Sequence, residues 1–391
     1  MTGMVRGAGR MAARILAVFT LIWVAACETT GVTASGPRVD ASKPVPVALL
    51  VPAGSGEASD QVLAQSLENA ARLAMADLSG VTIDLRVYST GGSAENGAAL
   101  AQQAVNEGAR IILGPVFASE ASAVGAAVRG RNVNVLSFSN NTAVAGGNVF
   151  VLGNTFENTA RRIVGYARSQ GITTALIAYG QDAAETRGRD AIAAAMAANG
   201  ITLAGSNAVE LSQMGVVNAV PEIAEQIKST GAQALFMTSG TAGALPILSQ
   251  LLRENGIDRA STRFIGLQRW DIPASALDLP GLQDGWFAQP DPALSAQFAA
   301  RYTAAYGEPP HPIAGLAYDG IAAIGALVSS GSGATLGGAS LTQASGFVGV
   351  NGVFRLLPDG TNERALSMAQ ISDRQVIVID PAPRSFGGAG L

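Results

Sequence analysis

Along this chain, short unbroken apolar runs alternate with longer stretches in which apolar residues return every three or four positions. Residues 45–52 (VPVALLVP) form the first run; its continuity and flanking prolines predict a strand buried on both faces. Residues 61–78 set Leu63, Leu67, Ala71, Leu73 and Leu78 among polar neighbours, which is a helical stripe. Residues 81–88 alternate apolar and polar positions, as a strand does. A helix over 94–107 with Gly108 at its stop, a strand over 110–113 closed by Gly114-Pro115, a helix over 119–128 and a strand over 133–139 follow. With right-handed crossovers, this order predicts one parallel sheet covered by helices on both faces.

After a short apolar piece at 149–152 the alternation restarts. Helices are predicted over 157–170, 183–198, 217–230 and 244–255, and strands over 173–179, 201–209, 234–238 and 263–267. The fold class is therefore α/β, with two doubly wound parallel-sheet lobes. Beyond Gly285-Trp286-Phe287 come helices at 294–306 and 313–329 and a Gly/Ser-rich connection at 331–338. The tail is β-rich over 353–357, 366–371 and 376–379, and Pro358-Asp359-Gly360 marks a hairpin turn.

Composition narrows the function classes. The 391 residues are 48% hydrophobic and 14% charged, enough apolar material for two ordinary domains. Lys+Arg 25 against Asp+Glu 29 gives −4, so the basic excess of a nucleic-acid binder is missing. One cysteine (Cys27) and one histidine (His311) exclude an internal disulfide and any metal site built from His and Cys ligands. No Asp-x-Asp-x-Asp-Gly loop, Gly-x-Ser-x-Gly elbow or Gly-x-x-x-x-Gly-Lys loop occurs. His311 sits in a stiff Pro-Pro-His-Pro segment without an identifiable partner for general-base work. The expectation is a non-enzymatic protein without metal or cofactor.

Arg6, Arg10 and Arg14 precede an apolar run over 15–26, and the first acid is Glu28. That arrangement reads as a signal peptide over 1–26, shorter than the roughly 20 apolar residues a membrane span requires. Val24-Ala25-Ala26-Cys27 resembles a bacterial lipobox, which makes Cys27 a lipidation site rather than a nucleophile. The alternative is a plain secretory signal that ends at a chance cysteine. Three arginines and no acid are lost with the leader, so the mature charge falls from −4 to −7. By analogy with enteric lipoproteins, Glu28 in place of Asp after the cysteine favours the outer over the inner membrane. Residues 27–44 are Thr/Ser/Gly/Pro-rich and read as a flexible tether.

In open parallel sheets, ligands sit outside the strand carboxyl ends, where helix N-termini present free N–H groups. The first such place is the turn 114–119, with Val116, Ala118 and Ser119; Ser119 is a candidate cap for the following helix. The second is the polar run Ser137, Ser139, Asn140, Asn141 and Thr142. Both also fit ordinary turn and cap chemistry. In the second half the corresponding ends carry Tyr179, then Thr238-Ser239, then Arg269-Trp270-Asp271. An aromatic, a cation and an acid together can stack on and pair with a bound group; equally, Arg269 and Asp271 can pair with each other while Trp270 packs inside.

The run 45–52, Gly114-Pro115, Ser137-Phe138-Ser139-Asn140, Tyr318-Asp319-Gly320 and Gly352-Val353-Phe354, in this order and spacing, resemble a type I periplasmic binding protein of the leucine/isoleucine/valine-binding branch. With the lipobox, they most resemble the penicillin-binding-protein activator lipoproteins. The resemblance implies two lobes joined by three crossing segments: 45–152 plus 290–345, and 153–289 plus 346–381, with 382–391 as a tail. It implies a lipid-anchored regulator of peptidoglycan synthesis facing the periplasm, which contacts a peptidoglycan synthase or senses a small polar or anionic ligand. The alternative it implies is the solute receptor of an amino-acid ABC importer, with an ABC permease as partner. Two departures bear on amino-acid binding. Ala118 stands where those binders usually carry a hydroxyl, with Ser119 adjacent, and 183–188 (AAETRG) lacks their tyrosine-glycine pair. Asp271 is the nearest candidate acid for an α-ammonium.

Overall fold

The computed structural model describes residues 36–330 and 335–386; the leader, the lipobox and Cys27 lie outside them. The first sheet is β1 (Val45–Val51), β2 (Ile83–Ser89), β3 (Ile111–Leu113), β4 (Asn134–Ser137) and β5 (Val149–Val151), all parallel, in the order β2-β1-β3-β4-β5. Helices α1 (Ala58–Asp77), α2 (Ala94–Asn106) and α3 (Ala118–Val128) connect them. Central β1 explains its own composition. Val47, Leu49 and Val51 point to the face packed with Leu63, Leu67 and Ala71 of α1. Ala48 and Leu50 point to the face packed with Ala101 and Ala104 of α2 and Val124 and Val128 of α3. A strand covered on both faces needs apolar residues at both parities.

The second lobe repeats the scheme. After α4 (Phe156–Ser169) come β6 (Thr174–Gly180), α5 (Ala183–Asn199), β7 (Thr202–Val209), α6 (Gln213–Thr230), β8 (Ala234–Met237), α7 (Leu245–Glu254), β9 (Arg263–Gly266) and β10 (Trp286–Gln289). Here too residues alternate between two cores: Ala175 and Ile177 on one face of β6, Leu176 and Ala178 on the other. Helix α6 starts four residues before the predicted 217, because Ser212 caps it by accepting from Gly215 N, and it runs through Pro221.

The chain then returns to the first lobe with α8 (Pro292–Tyr306) and α9 (Gly315–Ser329), which pack on α1 through Phe298, Tyr302, Ile321 and Ile324. After the short α10 (Gly338–Leu341), β11 (Phe347–Gly349), β12 (Gly352–Leu356) and β13 (Asn362–Arg364) form a three-stranded antiparallel sheet. Finally β14 (Ser367–Ser372) and β15 (Gln375–Asp380) add antiparallel to the second sheet, whose order is β15-β14-β10-β9-β8-β6-β7.

Two expectations change. The resemblance places residues 346–364 in the second lobe, yet Phe347, Phe354 and Leu356 are buried in the first lobe's core, and Gly360 O accepts from Val151 N of β5 (2.8 Å). The last crossing therefore lies at 364–367. Residues 36–44, read as free tether, lie against the first lobe: Val39 and Ala41 pack on its core, and Arg38 bridges to Thr335.

The three crossings, 152–155, 289–292 and 364–367, are tied to one another. Arg364 donates from Nε to Leu152 O (2.8 Å), and its backbone N–H donates to Asn158 Oδ1 (3.1 Å). Asn362 donates to Val151 O and Gly153 O, both 2.8 Å, and Ser367 Oγ donates to Gln289 O (3.2 Å). Arg364 also pairs with Asp319 of α9 at 2.8 Å, with side-chain exposures of 3% and 0%. Burial raises the Asp319 carboxyl above its ordinary pKa, while Arg364 and the Val350 N–H, which donates to Oδ1 at 2.8 Å, pull it down. Removing one partner of such a pair strands the other charge in the interior. Arg364→Met should therefore cost about 3–5 kcal/mol in urea unfolding. Adding Asp319→Asn, which keeps an acceptor for Val350 N–H, should recover at least half of that loss; no recovery would show that the charge pair is not what matters.

Candidate ligand-binding cleft

Each sheet has its topological switch between the strands that open in opposite directions: β1/β3 in the first lobe and β6/β8 in the second. Loops leaving those carboxyl ends are where open α/β sheets take ligands, which makes them the candidate walls of a cleft.

The first wall is built at Gly114 (φ +89°), where a Cβ would lie 2.2 Å from Leu50 O; only glycine lets the chain turn this close to β1. Val116 and Ala118 are half-buried beyond it and Ser119 is exposed. Ser119 does not cap α3: the cap residue is Phe117, which has no side-chain acceptor, and Ser119 lies within the first turn. The polar run that follows is largely occupied with itself. Ser137, fully buried, donates to Pro115 O (3.0 Å) and accepts from Ser139 N (3.1 Å). Ser139 accepts from Asn141 N, and Asn141 caps the next turn by accepting from Ala143 N. Thr142 donates to Glu157 Oε1 of α4 at 2.8 Å, a link from the first lobe's loop to the second lobe's first helix. Asn140 is the member of the run that faces solvent.

The second wall holds an open hollow of about 760 Å³ at the ends of β6, β7, β8 and β9. Glu185, on the first turn of α5, lies at its floor with 9% exposure. Its Oε2 accepts from Gly180 N (2.6 Å), Thr238 Oγ1 (2.9 Å) and Ser239 Oγ (2.6 Å). Thr238 and Ser239, expected to face a ligand, are thus buried and turned toward Glu185. Gln268 donates to Thr238 O (2.8 Å) and also lines the hollow. Asp182 caps α5 by accepting from Ala184 N and Glu185 N.

Arg269 borders the hollow, and Nε donates to Asp271 Oδ1 (2.9 Å) while Nη2 contacts Oδ2. Trp270 is fully buried, packed where a Cβ on Gly266 or Gly285 would strike its ring, and it offers no stacking face to a ligand. Tyr179 lies outside this lining, with the Arg189 guanidinium 5.0 Å from its ring centroid. Of the expected residues the structure brings Arg269 to the hollow. It adds Glu185, Gln268 and the apolar Leu211, Ile247 and Ile272, which the sequence reading did not single out. Glu185 stands three residues after a capping Asp, a spacing that signals helix capping first. Among the described residues no group of three or more His, Cys, Asp or Glu side chains is placed to hold a metal.

Comparison with known proteins places this geometry. A family model described as periplasmic binding protein matches residues 44–375. A putative branched-chain amino acid ABC transporter protein from Rhodospirillum rubrum superposes with a TM-score of 0.73 at 16% identity, over 86% of this chain and 100% of that one. An ABC transporter substrate-binding protein from Desulfitobacterium hafniense in complex with Leu gives 0.63 at 18%, covering 86% and 100%. A solute-binding protein from Rhodopseudomonas palustris in complex with 3,4-dihydroxy benzoic acid gives 0.59 at 19%, covering 87% and 96%. No curated protein matches the chain.

One titratable group beside the first wall is measurable without a ligand. Glu120, in the first turn of α3, is fully buried and neither carboxylate oxygen has a hydrogen-bond partner; the nearby Thr90 hydroxyl donates to Val51 O instead. Burial pushes its carboxyl up from 4.5 to about 7. Between those values the folded chain keeps a proton that the unfolded chain has released, so stability falls as pH rises through the window. Glu120→Gln should abolish that decline and be roughly 3 kcal/mol more stable than the parent at pH 8 while matching it at pH 4. Urea titrations at the two pH values check this, and parallel pH profiles would refute it.

Proposed function

The chain belongs to the periplasmic binding protein family, and from that premise we propose that it is the solute-binding component of an ABC importer, facing the periplasm and held at a membrane through Cys27. The observation that carries this reading is the hollow at the β6/β8 switch point, lined by second-lobe loops and open to solvent. Its size suits a small organic molecule, since ligand pockets run about 300–1,000 Å³. Its lining mixes apolar and polar groups: Leu211, Ile247 and Ile272 beside Glu185, Thr241, Gln268 and Arg269. A ligand seated there is covered only when the first lobe moves over it, and the three crossing segments are where backbone angles can change to allow that. The permease would then read the closed form.

A second reading has its own observation. In the first wall, Ser137, Ser139, Asn141 and Thr142 are committed to internal hydrogen bonds, which leaves few groups there to hold a solute. With the lipobox-like segment at 24–27, this favours a lipid-anchored regulator of a peptidoglycan synthase that keeps the fold and has given up transport.

A thermal unfolding screen separates the two. Branched-chain amino acids, small amines, aromatic and aliphatic carboxylates and peptidoglycan fragments would each be tested at millimolar concentration. The receptor reading expects one class to stabilise by about 2.7 kcal/mol when present at a hundred times Kd. Silence across all the small solutes, with stabilisation by peptidoglycan fragments or co-purification of a synthase, would transfer the case to the regulator.

A further inference from the structure

We propose that Glu185 is the ligand-recognition residue of the second lobe and that the solute it selects is an amine with an apolar body, in which a carboxylate is not required; this rests on the receptor reading of the same hollow. The carboxylate is fixed by three donors from two segments, the end of β6 (Gly180) and the residues after β8 (Thr238 and Ser239), and all three converge on Oε2. Oε1 receives no hydrogen bond among the described residues, and the side chain lines the hollow. No Lys or Arg forms an ion pair with Glu185 among those residues: Arg269 is joined to Asp271 and Arg189 to Asp190 (2.8 Å). Glu185 is therefore a carboxylate held by neutral donors, with one oxygen free of hydrogen bonds and no paired cation among the described residues.

Closing the first lobe over the hollow would take that charge out of water, which is costly unless a cation accompanies it. A ligand ammonium supplies the cation, and an ammonium has the N–H donors that Oε1 lacks. The rest of the ligand is set by what else is uncovered. Leu211, Ile247 and Ile272 are 49%, 37% and 45% exposed around the same hollow, so an alkyl or aryl body gains by covering them. Within this hollow a carboxylate has no comparable partner. Arg269 is the only cationic residue of the lining and Asp271 already neutralises it, while the first wall's Ser137 and Ser139 bond internally.

The test is calorimetric titration of the full chain with three probes of one shape: isoamylamine, isovalerate and leucine. The expected result is binding of isoamylamine, at least tenfold weaker binding of isovalerate, and a loss of at least tenfold in isoamylamine affinity in Glu185→Gln. Glutamine keeps a carbonyl acceptor but loses the charge. Should that variant misfold by circular dichroism, the selectivity of the parent protein among the three probes decides alone. Isovalerate binding as well as isoamylamine would overturn the assignment while leaving the receptor reading in place. Leucine binding without isoamylamine would overturn the amine class. Binding of none of the three would remove the ammonium role of Glu185, and the receptor reading would then stand or fall on the wider solute screen.

Discussion

The lobes can act as a pair only because three thin connections hold them, and those connections are organised around the buried Arg364–Asp319 ion pair. Arg364 sits on the last crossing, reaches the first through Leu152 O and Asn158, and is anchored by Asp319 in the first lobe's α9. A charge pair in this position is a poor source of net stability, because desolvation offsets most of the attraction. Its consequence is geometric. Asn158 donates to Arg364 O, and Asn362 donates to Val151 O and Gly153 O, so the crossing strands are held in one register and motion of the lobes is confined to the few backbone angles the network leaves free. Gly349 belongs to the same arrangement: a Cβ there would meet Asp319 Oδ1 at 2.1 Å, so the β11–β12 turn can approach the carboxylate only as glycine.

The two walls of the cleft obey the same accounting of polar groups with opposite outcomes. In the first, consecutive turns use side chains to fasten the next turn, from Ser137 through Ser139 to Asn141, which leaves Asn140 as the member of the run that faces solvent. In the second, donors from two loops gather on one oxygen of Glu185 and leave the other unmatched. In the proposed reading recognition falls to the second lobe, where Leu211, Ile247 and Ile272 are also exposed, and the first lobe serves as a cover.

Much of this architecture is legible in the sequence, for a physical reason. Strands covered on both faces must be apolar at every position, so VPVALLV and its counterparts announce themselves. The site is less legible because burial and side-chain direction depend on contacts distant in the chain. Arg269, Trp270 and Asp271 look like one recognition cluster as a string, yet in the bend after β9 Arg269 and Asp271 pair with each other while Trp270 is fully buried. Trp270 thus enters the core while its neighbours pair at the surface. The hairpin after Gly346 was assigned to the wrong lobe because nothing local says which core receives Phe347 and Phe354. Glu185 is hard to read for the opposite reason: its spacing from Asp182 fits a capping role, and it does help tie that helix terminus.

That double duty bears on how such a cleft can change specificity. The donors that hold Glu185 also join the β6 end, the β8 end and the first turn of α5, so the residue cannot be exchanged for a neutral apolar one without leaving the Gly180 N–H and two hydroxyls unpaired in a buried place. Leu211, Ile247 and Ile272 are free of such obligations: each is exposed. Substitution at those positions can reshape the apolar part of the hollow at little structural cost, while the charge beneath is held in place by the fold. In the proposed reading the fold fixes the sign of the group such a wall can hold, and the size and shape of its body are adjustable.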